Sequence, residues 1–98
     1  MNIKVELLNV IRYERKEDKK VRTMINYRVI NDDSLANNDK YKGYSVLTSY
    51  YDGDEVFKKI PHKLCGTAVD MFIEKVPSVT NPLKETSLVK KINDISLV

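Results

Sequence analysis

The chain has 98 residues, with 17 Lys and Arg against 14 Asp and Glu for a formal charge of +3, a length that fits one small domain and excludes separate catalytic and cofactor domains. Its 42% hydrophobic and 32% charged residues suffice for a core and argue against a chain disordered throughout. That balance permits an anionic partner without identifying one, so the distribution of charge has to carry the information.

From Ile3 to Tyr13 the apolar residues Ile3, Val5, Leu7, Ile11 and Tyr13 share one phase of a two-residue period, interrupted at Asn9, while Lys4, Glu6 and Arg12 take the other. The pattern predicts a long strand, with Leu8 and Val10 calling for partial cover on the polar face. Val21 to Asn31 repeats it, with Val21, Ile25, Tyr27 and Val29 opposite Arg22, Asn26 and Arg28. Between the two lies Glu14-Arg15-Lys16-Glu17-Asp18-Lys19-Lys20, too polar to bury and short enough for an antiparallel hairpin with a projecting charged tip.

Asn31 to Lys40 is rich in turn formers and reads as a long loop. Tyr41 to Tyr51 is dense in Tyr, Val and Thr, which predicts a third strand. Asp52-Gly53 supplies the positive φ of a tight turn into a short fourth strand, Glu55 to Ile60. Pro61 stops that strand, and the segment to Leu64 and Cys65 suits a single helical turn. Alternation resumes at Val69, Met71 and Ile73 for a fifth strand. Pro77 and Asn81-Pro82 mark a loop, and Ser87 to Leu97 offers a final strand. Short strands separated by turn chemistry predict an all-β chain. At this length the expected form is a small five-stranded OB-like barrel with a projecting basic β-hairpin, in one domain spanning residues 1–98.

One cysteine, Cys65, cannot form an intrachain disulfide, so a reducing, cytoplasmic setting is expected. Met1 to Glu6 places an acid inside what would be the apolar run of a signal peptide, and no stretch approaches the ~20 apolar residues of a membrane span. Groups for catalysis do not converge. His62 and Cys65 lack an orienting third residue, and one Cys with one His cannot close a zinc site. The acids of Asp32, Asp33 and Asp39, or of Asp52, Asp54 and Glu55, match no calcium-loop pattern, and three glycines assemble no phosphate loop. The chain is therefore read as non-enzymatic, with no cofactor and no metal.

Charge and aromatic residues are unevenly placed. Arg12, Arg15, Lys16, Lys19, Lys20, Arg22 and Arg28 crowd the first hairpin, where they can neutralise phosphates; the same cations also suit a solubilising tip that discourages edge pairing. Tyr41, Tyr44, Tyr50 and Tyr51 fall on the third strand and Tyr13 and Tyr27 on the basic hairpin, although the apolar phase of the last two favours burial. Rings beside cations are the equipment for single-stranded nucleic acid, whose unpaired bases stack on aromatic faces. Tyr44 and Tyr50 share a phase opposite to that of Tyr41 and Tyr51, so one pair should be exposed. A protein-binding β-barrel adaptor or inhibitor, using a strand edge or the hairpin, remains the alternative.

The opening Ile3-Lys4-Val5-Glu6, the basic two-stranded wing from Arg12 to Arg28 and a late hairpin from Phe72 to Leu88 resemble, in order and length, the single-stranded DNA-binding proteins of the filamentous-phage gene V type. The resemblance implies a five-stranded OB-type barrel that forms a two-fold homodimer and coats single-stranded DNA, or RNA by the same chemistry, during replication or transfer of a phage or mobile element. Arg15, Lys16, Lys19, Lys20 and Arg22 would then contact phosphates, and Tyr27 or Tyr44 would stack bases. The late loop Val76 to Leu83 departs from the family by lacking an aromatic residue, and the acidic loop from Asp32 to Asp39 is longer than expected.

Overall fold

The computed structural model describes residues 1–30, 39–40, 44–77, 83 and 85–98. The described chain is all-β apart from two short helical turns. β1 (Asn2–Glu14) and β2 (Val21–Val29) form the long hairpin, followed by β3 (Leu47–Asp52), helix α1 (Glu55–Lys59), a 3-10 turn (His62–Leu64), β4 (Ala68–Pro77), β5 (Glu85–Ile92) and β6 (Ile95–Ser96). The strands make one antiparallel sheet in the order β3-β2-β1-β4-β5-β6. Six described strands thus stand where five were expected. The sheet is open, because no backbone ladder joins β3 to β5 among the described residues.

The sheet nevertheless curls until those two strands touch through side chains. The Ser49 hydroxyl donates to the Tyr51 oxygen at 3.2 Å, the Tyr51 hydroxyl donates to the Val89 carbonyl, and the Val89 N–H donates to the Ser49 hydroxyl at 3.3 Å. Ser49, Tyr51 and Val89 are all buried, so each polar atom they bring into the core is satisfied there. Around this clasp pack Val5, Leu7, Ile25, Tyr27, Val69, Met71, Ile73, Val89, Ile92 and Leu97. Each fully buried aliphatic side chain contributes about 1.5–3 kcal/mol relative to exposure.

Four sequence expectations change. A register shift between Leu7 and Asn9 inserts Leu8 as an extra residue in β1. Because side chains alternate, one extra residue exchanges the two faces beyond it. Val5 and Leu7 face the core, whereas Ile11 and Tyr13 turn to the outer face and Val10 takes the inner one. Second, Glu55–Lys59 is helical, not a strand. Val56 and Ile60 are four apart and both buried, a spacing that brings them onto one face of a turn, and acidic Glu55 leads while Lys58 and Lys59 close. Gly53 does adopt the positive φ expected of it, at 74°, but its turn delivers the chain into the helix. Third, β3 begins at Leu47, so Tyr44 precedes it, and Tyr41 lies outside the described residues. Fourth, the last strand is two, split by a turn at Asn93, whose φ of 51° is one that asparagine tolerates. Most of the long acidic loop (31–38) and most of the late loop (78–82) also lie outside the described residues. No described helix is long and apolar enough to cross a membrane.

Candidate nucleic-acid interface

Alternation in β2 sends Thr23, Ile25 and Tyr27 into the core and Arg22, Met24, Asn26 and Arg28 to the other face. Register with β1 and β3 then sets the outer face in rows. Tyr13, Arg22 and Asp52 lie side by side, next come Ile11, Met24 and Tyr50, then Asn9, Asn26 and Thr48, and last Glu6 beside Arg28. Asparagine amides tie the third row together. Thr48 donates to Asn26 and Asn26 to Asn9, both at 2.7 Å.

Two tyrosine rings on this face each lie under an arginine. The Arg22 guanidinium lies over the Tyr50 ring at 5.6 Å from its centroid, and the Arg28 guanidinium over the Tyr44 ring at 4.1 Å. Tyr50 is 51% and Tyr44 61% exposed. Each arginine also meets a carboxylate. Arg28 donates to Glu6 at 2.8 Å, and Arg22 stands 3.4 Å from Asp52. Among the described residues the buried Nε of Arg22 has no hydrogen-bond partner, so its contact with the exposed Asp52 is an ion pair that lacks hydrogen-bond alignment. The attraction of a ring's π face for such a cation is worth about 0.5–1 kcal/mol at exposed sites.

The hairpin tip extends the array. Backbone bonds from Arg15 N–H to the Lys20 carbonyl and from Lys19 N–H to the Arg15 carbonyl, both 2.9 Å, close a turn in which Lys19 adopts a φ of 56°. The Asp18 carboxylate accepts from the Lys20 N–H at 3.0 Å, and this bond holds its carboxyl below the ordinary value. Arg15 pairs with Glu17 at 3.4 Å and with Asp18 at 3.9 Å. Lys16, Lys19 and Lys20 are exposed and make no ion pair among the described residues.

Of the ten residues singled out from sequence, Arg22, Arg28, Tyr44 and Tyr50 share the outer face, and Arg15, Lys16, Lys19 and Lys20 share the tip. Two stand elsewhere. Tyr27 is 1% exposed, its ring enclosed in the core where burial raises its pKa, and it presents no face to a base. Arg12, turned by the Leu8 bulge, points to the side of α1 and donates to Asp54 at 3.1 Å. Partial burial opposes the charge on Asp54, but Lys58 and Arg12 together keep its carboxyl below the ordinary value. Sequence reasoning missed Ile11, Tyr13 and Met24 beside Tyr50, and Glu6 and Asp52 as partners of the arginines. The adjacent apolar pair Leu7-Leu8 before Asn9 was the available signal for the bulge that moved the first two. His62 is exposed at the start of the 3-10 turn and Cys65 is half-buried at its end. No family model matches the chain, and comparison with curated proteins and with solved structures yields no match either.

Proposed function

We propose that this chain is a non-enzymatic protein that binds single-stranded nucleic acid, holding phosphates on Lys16, Lys19 and Lys20 and stacking bases on Tyr50 and Tyr44. One observation carries the reading: two exposed tyrosine rings, each under an arginine, lie on one face of the hairpin whose tip carries three exposed lysines with no ion pair among the described residues. Unpaired bases stack on such rings for about 1–3 kcal/mol each, and a duplex presents no free base faces to them. The resemblance to gene V-type proteins extends the reading to a curled OB-like barrel acting as a cytoplasmic homodimer in phage or mobile-element replication. Its late hairpin would supply the dimer contact, with Leu83, 96% exposed, at its loop.

Titration with matched single-stranded DNA, duplex DNA and RNA oligomers tests this. Tyrosine fluorescence is expected to fall on addition of oligo-dT and to stay unchanged with duplex; equal affinity for duplex and single strands contradicts base stacking. A second reading, an adaptor or inhibitor for another protein, draws on the exposed Ile11, Val46 and Leu47. Retention of one defined protein in the presence of nuclease, without binding to oligo-dT, would favour it.

A further inference from the structure

Arg22 and Arg28 are six residues apart on one strand and point to the same face. Each is the centre of the same three-part stack: a carboxylate at its edge, Asp52 or Glu6, and a tyrosine ring beneath its plane, Tyr50 or Tyr44. At about 3.3 Å of rise per strand residue the two arginines stand about 20 Å apart. We propose that the two carboxylate–guanidinium–tyrosine stacks are twin stations for one oligonucleotide, so that the ligand is defined by a minimum length and not by a single nucleotide. This inference rests on the binding reading above and adds to it the class of ligand that the face selects.

The carboxylates decide what each station can hold. With its charge already matched by Glu6 or Asp52, an arginine is a poor trap for a lone phosphate, and its work is to fix the ring. A single flat base then gains little beyond one stacking contact. A strand that reaches both rings makes the second contact intramolecularly, and linked contacts of this kind raise affinity about 10²–10⁴-fold over either alone. The span corresponds to about six nucleotides at the 3.4 Å spacing of a stacked strand, and to fewer when the strand is stretched across the face. The nearer station, Arg22 with Tyr50, adjoins the end of the hairpin that carries Lys16, Lys19 and Lys20, so the ligand runs along β2 from the tip towards Arg28.

A length series of oligo-dT from two to twelve nucleotides, titrated against the full chain and against Tyr44→Ala and Tyr50→Ala, tests the proposal; circular dichroism verifies that the exposed substitutions leave the fold intact. The expected result is a step of about 100-fold in affinity between three and eight nucleotides. Either substitution should abolish the step, with a larger loss for the octamer than for the dinucleotide, and Tyr44→Phe should keep it. A smooth rise with length, or equal losses for short and long oligomers, overturns the twin stations while leaving single-strand binding in place. Failure of every oligomer to bind overturns both.

Discussion

The arginines and lysines of the first hairpin make opposite predictions about salt, and the ion pairs decide between them. If all seven cations of the wing met phosphates, the slope of log K against log salt for a single strand would be about −5, a loss of about 900-fold between 50 and 200 mM. Arg12, Arg15, Arg22 and Arg28 are each engaged by a carboxylate, at 3.1, 3.4, 3.4 and 2.8 Å. Breaking such a pair to reach a phosphate exchanges one anion for another and releases few counterions. Three lysines remain, Lys16, Lys19 and Lys20, for a slope of about −2 and a loss of about 20-fold over the same range. Fluorescence titration of oligo-dT at four salt concentrations measures the slope, and the triple replacement of these lysines by Gln should bring it close to zero. A wild-type slope near −5, or a slope the triple variant leaves unchanged, refutes the assignment of phosphate contacts to the tip.

Other consequences separate binding from folding. Tyr50→Ala should cost about 1–3 kcal/mol of oligo-dT affinity with little change in thermal stability, whereas Tyr27→Ala should cost about 3 kcal/mol or more of stability measured by urea unfolding. Lys19→Gly relieves a left-handed residue, so stability should rise by about 1 kcal/mol while oligo-dT affinity falls with the lost charge. Burial, partly offset by the Ser49 hydroxyl, pushes the Tyr51 phenol up to about 12. An acid whose folded value lies above its unfolded value of about 10 stabilises the fold fully below pH 10. That contribution is lost at about 1.4 kcal/mol per unit as pH rises from 10 to 12, and Tyr51→Phe should flatten this limb of the urea-unfolding profile. The same variant should cost about 1–3 kcal/mol at pH 7, since it leaves polar atoms of the β3–β5 clasp unpaired.

The all-β class, the long basic hairpin and the 3-10 turn after Pro61 were legible because period-two alternation and turn residues are local signals. The helix at Glu55 was not, because six residues containing Val56, Phe57 and Ile60 satisfy a strand pattern as readily as a helical turn, and tertiary burial of Val56 and Ile60 chose between them. The bulge at Leu8 was hidden for a related reason: a single inserted residue leaves alternation intact on either side while exchanging its faces. Tyr44 and Tyr50 are both exposed, but strand phase explains only Tyr50, because Tyr44 stands before the strand, where its ring lies under Arg28. Glu6 and Asp52 became visible as partners only with the strand register, which brings together residues 22 and 30 positions apart in the chain.

Nuclear magnetic resonance mapping of oligo-dT on the labelled chain addresses the binding face most directly. The account predicts that the largest shifts fall on Lys16, Lys19, Lys20, Arg22, Tyr50, Arg28 and Tyr44, with Tyr27 and Arg12 little changed. Shifts confined to β4 and β5, or none at saturating oligomer, would contradict it.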